Sequence, residues 1–245
     1  MQRNYDVAVV GAGVFGAWTA YQLRKAGLHV ALLDAYGPGN NRSSSGDESR
    51  IIRMSYGADE LYTRWAWRAL QLWQEFDAQT GQPLFQPTGV LLLARDTDAY
   101  ATASAAALQK VGVPFEQWSR VELEQRFPQI NFGPVAWAIY EPQSGALLAR
   151  RAVQAVTREA VRAGVAYVPA AVLPPNGAGT LDAIATHTGE TCSAGVFVFA
   201  CGSWLPKLFP EVLSARIHPT RQEVFYFGIP AGDQRFAPPQ FPTWI

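Results

Sequence analysis

The N-terminal segment changes from a continuous apolar run to helical spacing and then back to an apolar run. The first run covers residues 5–10, the helical spacing continues to about residue 26, and the second run covers residues 29–34. Two strands joined by one short helix predict a βαβ unit, in which the strands are parallel. Because neither strand alternates with polar residues, we expect a sheet that is covered on both faces.

The remaining pattern predicts a second layer inserted into the first. An amphipathic helix is predicted at residues 59–80, and its regularly spaced tryptophans are interpreted as core. From residue 83 to residue 142 the pattern changes to short strands around helices, after which the βα pattern resumes. Further elements are predicted as a helix at 149–163, strands at 165–168 and 196–200, and an alternating strand at 220–227.

This order of elements predicts an α/β fold with two interleaved domains. A discontinuous nucleotide-type domain is expected from residues 1–83 and 145–217, and a second domain from residues 84–144 and 218–245. The interleaving rests on the order of elements alone, whereas the first βαβ unit also rests on its local pattern.

Composition narrows the possible partners and compartments. Lys+Arg and Asp+Glu both number 20, so the formal net charge is zero and no global field attracts nucleic acid or an anionic membrane. The apolar runs are too short to span a membrane. The two cysteines, Cys192 and Cys201, form neither a disulfide framework nor a zinc site by themselves. We therefore expect a cytoplasmic protein without a metal centre and with neither nucleic acid nor a membrane as a partner.

Three glycines between the first strand and the first helix have the spacing of a dinucleotide-binding turn. Gly11 allows the tight turn, Gly13 lets the backbone approach a pyrophosphate, and Gly16 lets the helix pack on the strand. Asp34 ends the second strand, where a carboxylate accepts both ribose hydroxyls of an adenosine. The pattern fits NAD, NADP or FAD, although Asp34 would repel the 2′-phosphate of NADP. A glycine-rich turn in an unrelated α/β domain is the alternative.

A second group of polar residues follows the second predicted strand, at residues 43–56. Its small hydroxyl residues could donate hydrogen bonds to a phosphate or to a ring edge. Arg50 and Arg53 flank two isoleucines, and an arginine in apolar surroundings requires an anionic partner. The alternative is a solvated loop in which these arginines pair with Asp47 and Glu48.

Taken in order, these motifs resemble the FAD-dependent D-amino-acid oxidase superfamily, and within it the group of monomeric sarcosine oxidase and N-methyl-tryptophan oxidase. The resemblance covers residues 6–227, and it is carried by the segments 11–16, 43–56, 88–90, 141–145 and 200–204 together with Asp34. It implies a Rossmann-like FAD-binding domain with an interleaved α+β substrate domain. It also implies that this chain lacks the C-terminal portion of the family, so that we expect the fold to be C-terminally incomplete.

The resemblance implies FAD as the cofactor and a role for each candidate residue. The implied contacts are to the pyrophosphate (Gly11, Gly13 and Gly16, with the nearby turn at Gly202), the ribose (Asp34), the adenine (the backbone of Val172) and the loop beside the flavin (Ser44, Ser45 and Ser49). Arg50 matches an arginine near the isoalloxazine ring, and Arg53 matches the one that binds the substrate carboxylate; these two are the implied catalytic residues. Cys201 is implied to be a small core residue, neither a nucleophile nor the covalent flavin anchor.

The reaction implied by the resemblance is oxidation of the C–N bond of a secondary or N-methyl amino acid, with oxygen or another electron acceptor reoxidising the flavin. The chain departs from the family at Ser44 and Ser45, where sarcosine oxidases usually carry histidine. The covalent cysteine and the lysines of the family's later portion are not found in this sequence. We therefore expect a fragment that depends on a missing segment or on a partner, or a non-catalytic dinucleotide-binding protein. An NAD-dependent dehydrogenase is the other alternative.

Overall fold

The computed structural model describes residues 4–175, 179–238 and 240–245. The chain forms two compact units, each built from two stretches. The first unit comprises Met1–Glu48 and Ala149–Val224, and the second comprises Ser49–Leu148 and Phe225–Ile245. The two units are interleaved along the chain, but their bounds differ from the division drawn from the sequence. Residues 49–83 and 145–148 lie in the second unit instead of the first, and residues 218–224 lie in the first unit instead of the second.

Short strands and helices follow one another along most of the chain. The strands are β1 (Asn4–Val10), β2 (Val30–Leu33), β3 (Arg50–Ile52), β4 (Phe85–Gln86), β5 (Val90–Ala94), β6 (Glu116–Ser119), β7 (Trp137–Glu141), β8 (Gly145–Leu147), β9 (Ala166–Val168), β10 (Ala183–Ala185), β11 (Thr191–Phe199) and β12 (Thr243–Trp244). The α-helices are α1 (Val14–Lys25), α2 (Glu60–Thr80), α3 (Ala99–Val111), α4 (Arg120–Arg126), α5 (Ala149–Arg162), α6 (Leu205–Leu208) and α7 (Pro210–Leu213). Two short 3-10 helices cover Gly202–Trp204 and Gln234–Phe236.

The first unit is built on a mostly parallel sheet with the strand order β10-β11-β1-β2-β9. β1 pairs in parallel with β2 and β11, while β10 runs antiparallel to β11. The side chains of β1 alternate between two apolar clusters. Val7 and Val9 pack with residues of α1 and α5, and Ala8 and Val10 pack with Ile184 in the other cluster. Both faces of the sheet are therefore covered, which confirms the predicted βαβ unit and the α/β fold.

The second unit holds two smaller sheets, with the strand orders β12-β5-β7-β6 and β3-β8-β4. β7 runs antiparallel to both β5 and β6 and ends at Glu141. The core of the larger sheet includes Leu91 and Trp118, and Trp118 stacks on Tyr140 with 4.2 Å between the ring centroids. β3 pairs with β8, and α2 packs on α3. These contacts explain why residues 49–83 belong to the second unit.

Two predicted features differ in the structure. Trp73 is buried in α2 as expected, but the Trp65 side chain is 62% exposed, so interpreting all the tryptophans of this helix as core is wrong for Trp65. The alternating strand predicted at residues 220–227 does not form; this described segment has no regular secondary structure, and Phe227 is 89% exposed. A segment of high β-propensity becomes a strand only where context supplies an edge to pair with.

The described residues contain neither a candidate membrane span nor a cluster of metal ligands. None of the described helices combines the length and the apolar character needed to cross a membrane. Within the same residues, no three His, Cys, Asp or Glu side chains come together in a group that could hold a metal ion.

Candidate functional site

The turn between β1 and α1 and the start of α1 pass so close to the end of β11 and to each other that glycine is required at two positions. Gly11 has a φ of 103°, and a Cβ there would lie 2.5 Å from the carbonyl oxygen of Ala200. A Cβ at Gly16 would overlap the carbonyl oxygen of Gly11. At Gly13 the atom nearest to such a Cβ is the Ser45 Oγ, at 3.3 Å. Gly13 therefore keeps a surface open, whereas Gly11 and Gly16 avoid backbone clashes.

The N-terminus of α1 presents free backbone donors beside this turn. The first amide of the helix, at Val14, donates to the Ser45 hydroxyl at 3.0 Å. The next two amides, at Phe15 and Gly16, have no acceptor within the described part of the chain. Free N–H groups and the partial positive charge of a helix N-terminus together bind phosphate.

Asp34 directly follows β2 and is bonded to the same turn. Its Oδ2 accepts a hydrogen bond from the Ala12 amide at 2.7 Å. Its Oδ1 accepts from the amides of Tyr36 at 2.8 Å and Gly37 at 2.7 Å. A carboxylate has about four lone-pair positions, so these bonds leave one position on Oδ2. The contact of Asp34 with the ribose stays a prediction.

The three candidate serines are divided between the two units. Ser45 bonds to the first turn of α1, and Ser44 is exposed in the same loop. Ser49 is exposed in the second unit, and its carbonyl accepts from the Arg50 Nη1 at 2.6 Å. The hydrogen bond between Ser45 and Val14 could not be predicted from residue spacing, because the two residues lie 31 positions apart in the sequence.

Val172 presents free backbone groups. It faces Thr186 in an isolated antiparallel bridge, whose hydrogen bonds are made by the flanking residues Ala171 and Leu173, at 2.9 Å each. Neither the N–H nor the C=O of Val172 has a hydrogen-bond partner among the described residues. A free donor beside a free acceptor matches the edge of an adenine ring, which is the contact that the resemblance implies.

The turn after β11 contains Gly202 and Cys201. Gly202 begins a 3-10 helix with a φ of 51°. The Cys201 thiol donates to the carbonyl oxygen of Val10 at 3.3 Å. Burial, and secondarily the negative charge of Asp34, raises the pKa of Cys201 to about 12. A thiol that stays protonated in this way is suited to packing and not to nucleophilic attack.

Arg50 and Arg53 lie in the second unit, on β3 and just after it. Arg50 is exposed. The guanidinium of Arg53, which is partly buried, lies over the Tyr56 ring with 4.4 Å from Cζ to the ring centroid, and its Nη1 donates to the Tyr100 hydroxyl at 3.3 Å. In the part of the chain that the structure describes, no carboxylate forms an ion pair with Arg53. The alternative pairing with the neighbouring acidic residues is therefore not found for Arg53.

Glu141 is a buried carboxylate that was not among the site residues predicted from the sequence. It is 1% exposed and accepts hydrogen bonds from the amides of Met54 at 2.7 Å and Ser55 at 2.9 Å. In the sequence, Glu141 is a lone carboxylate at the end of an apolar strand. A carboxylate needs hydrogen-bond partners when it is buried. Those partners lie 86 and 87 residues away along the chain, so no local pattern identified them.

Comparison with known proteins identifies the family. The family profile described as DAO, FAD dependent oxidoreductase, matches residues 6–244. The chain belongs to this FAD-dependent oxidoreductase family. N-methyl-L-tryptophan oxidase of Yersinia pestis (strain Pestoides F) is 31% identical to it over 212 residues, which cover 85% of this chain and 56% of the relative. The chain thus spans little more than half the length of the curated relatives it matches.

Solved structures agree with this family assignment. NikD, an unusual amino acid oxidase essential for nikkomycin biosynthesis, matches in its open form with a TM-score of 0.69 and 25% identity, over 86% of this chain and 55% of NikD. Glycine oxidase from Geobacillus kaustophilus shares the fold with a TM-score of 0.70 and 23% identity, over 86% of this chain and 59% of that protein. The resemblance read from the motifs is therefore confirmed at the level of family and fold.

Proposed function

We propose that this chain binds FAD through its first unit and serves the oxidation of an amino acid at its C–N bond. The observation that carries the proposal is the turn between β1 and α1, where glycines, free amides and Asp34 lie together. The chain that contains this turn belongs to an FAD-dependent family. A secondary or N-methyl amino acid is the proposed substrate, in keeping with the name of the relative at 31% identity. Oxygen or another acceptor would take up the electrons.

The residues of the first unit fit a dinucleotide. The amides of Phe15 and Gly16 would bind the pyrophosphate, the open position on Asp34 Oδ2 would accept a ribose hydroxyl, and the free backbone groups of Val172 would meet the adenine edge. Gly202 and Ser44 are proposed to line the same cofactor on the basis of the resemblance. When bound, FAD supplies the acceptor for the two electrons that leave the amine.

The second unit is proposed to bind the substrate, with Arg53 as the group that holds its carboxylate. A guanidinium offers two parallel N–H donors to a carboxylate, so it orients the ligand as well as attracting it. Arg53 suits this role because it has no competing ion pair within the described residues and rests on the Tyr56 ring. Arg50 and Ser49 are proposed, from the resemblance alone, to act near the flavin ring.

Titration of the purified chain with FAD, followed by anaerobic addition of N-methyl-L-tryptophan, tests the proposal. We expect the chain to bind FAD and the visible absorption of the oxidised flavin to bleach on addition of the amine. Arg53→Lys should retain FAD but bind the substrate about tenfold more weakly or worse, since lysine cannot make the two parallel bonds. Arg64→Lys is the matched control, because Arg64 is an exposed arginine of α2 paired with Glu60.

The outcomes separate the parts of the proposal. Uptake of NAD without uptake of FAD would refute it in favour of a nicotinamide-dependent dehydrogenase. Uptake of FAD without bleaching would keep the cofactor assignment and refute amine oxidation by this chain alone, in favour of a non-catalytic protein or one that needs a further segment. The cytoplasmic location stays a prediction.

A further inference from the structure

Glu141 is a buried carboxylate for which the proposed function has no direct use. It ends β7 and is 1% exposed. Its Oε2 accepts from the Met54 amide at 2.7 Å and from the Ser144 hydroxyl at 2.5 Å, and its Oε1 accepts from the Ser55 amide at 2.9 Å. Burying a carboxylate is costly unless such donors compensate it. These bonds therefore fix the backbone immediately after Arg53.

Tyr100, in the first turn of α3, holds the same segment. Its hydroxyl donates to the Ser55 carbonyl at 3.2 Å and accepts from the Arg53 Nη1 at 3.3 Å. One helical turn later, the Ser104 hydroxyl accepts from the Gly57 amide at 2.8 Å. The Tyr100 ring packs so closely that a Cβ at Gly57 would lie 2.9 Å from it. Residues 53–57 are thus tied to two separate elements, β7 and α3.

We propose that Glu141 and Tyr100 are positioning residues that hold Arg53 ready for a substrate carboxylate, an inference that rests on the proposed function. An arginine side chain has many rotamers, and freezing them when a ligand binds lowers the affinity. Here Glu141 fixes the backbone and Tyr100 holds one guanidinium nitrogen, so much of this ordering is complete before the ligand arrives. A guanidinium has five N–H donors, and those that Tyr100 does not use remain for the carboxylate.

A purely structural role for Glu141 would have a different consequence. It would change the stability of the second unit but leave the preference for a carboxylate unaltered. A positioning role changes that preference, which is the ratio of the dissociation constants of two ligands that differ only in the carboxylate. Because both ligands bind the same folded protein, the ratio does not depend on how much of the sample is folded.

Calorimetry on the FAD-saturated full chain measures this ratio with two ligands that have no oxidisable amine, indole-3-propionic acid methyl ester and indole-3-propionic acid, so that binding is not followed by turnover. In the wild type we expect the ester to bind about tenfold more weakly or worse, as for the loss of a charge-assisted bidentate contact. Glu141→Gln replaces one acceptor by a donor that faces a backbone amide, and it should lower the ratio about three- to fivefold. Tyr100→Phe removes one hydroxyl and should lower the ratio about twofold.

Two further variants calibrate the measurement. Arg53→Ala should bring the ratio close to one, because it removes the group that reads the carboxylate. Asp77→Asn is the matched control: Asp77 accepts the amide of Phe85 at 2.8 Å and so holds β4 instead of the Arg53 segment. We expect Asp77→Asn to keep the wild-type ratio.

Each result decides the proposal. A wild-type ratio in folded Glu141→Gln overturns the role of Glu141, and a wild-type ratio in Tyr100→Phe overturns the role of Tyr100. If Glu141→Gln does not fold, the ratio measured for Tyr100→Phe decides whether the positioning proposal stands. We expect Tyr100→Phe to fold, because it removes only a hydroxyl from a residue that is 46% exposed. A ratio that Arg53→Ala leaves unchanged refutes the carboxylate-binding role of Arg53 itself, and the positioning role falls with it.

Discussion

Gly13, at the N-cap of α1, and Gly16, in the first turn of α1, serve different requirements, and substitution by alanine separates them. A Cβ at Gly16 would overlap the carbonyl oxygen of Gly11 and lie 2.9 Å from its carbonyl carbon. These are backbone atoms of a residue whose amide bonds to the Leu33 carbonyl at 2.7 Å, so α1 itself would have to move. We expect Gly16→Ala to lower the free energy of unfolding by about 3 kcal/mol or more, the upper end of the cost of overpacking.

Gly13→Ala should leave the free energy of unfolding nearly unchanged. The φ of −71° suits alanine, and of the described atoms only the Ser45 Oγ, at 3.3 Å, would lie close to the new Cβ. Replacing glycine by alanine at a compatible position raises the free energy of unfolding by about 0.4–1 kcal/mol, because it lowers the conformational entropy of the unfolded chain. This gain offsets the cost of the tight contact with Ser45. The same Cβ would occupy the surface that a pyrophosphate approaches, so we expect FAD affinity to fall at least tenfold.

Urea denaturation with and without FAD distinguishes the two effects. In the wild type, FAD at a hundred times its Kd should add about 2.7 kcal/mol to the free energy of unfolding. If Gly13→Ala weakens binding tenfold, the same FAD concentration should add only about 1.4 kcal/mol. The reasoning is refuted if Gly13→Ala loses several kcal/mol without FAD, or if it keeps the full gain with FAD.

Two further predictions concern buried ionisable groups. Burial raises the pKa of Asp77 above its ordinary 3.8, against the opposing amides of Phe85 and Leu84. The stability that the protonated carboxyl contributes is therefore lost as the pH rises through its folded pKa. In urea titrations, the free energy of unfolding of Asp77→Asn relative to that of the wild type should increase between acid and neutral pH. The pKa of Cys201, raised to about 12, keeps this thiol neutral while the unfolded chain ionises above 9.0. The free energy of unfolding should therefore fall as the pH rises between these two values, and it should fall less in Cys201→Ala. For Asp77→Asn or for Cys201→Ala, a difference in stability from the wild type that does not change with pH would contradict the prediction.

The local structure of the proposed nucleotide site could be predicted from the sequence. Continuous apolar runs specify β1 and β2 because a strand covered on both faces has no polar side to alternate with. The spacing of Gly11 and Gly16 specifies the turn, since backbone atoms occupy the space of any side chain there. Asp34 follows β2 directly, so its place beside the turn also follows from the order of neighbouring residues.

The rest was decided by the tertiary structure, through contacts between residues that are far apart in the chain. Ser45 reaches Val14 across 31 residues, and Glu141 reaches Ser55 across 86. No local pattern encodes such pairs, because a hydroxyl or a carboxylate has many possible partners until the fold brings one within hydrogen-bond distance. The exposed Trp65 and the lack of regular secondary structure in residues 220–227 have the same explanation. Apolar periodicity shows which face would gain from burial, but only the packed chain determines whether anything covers it.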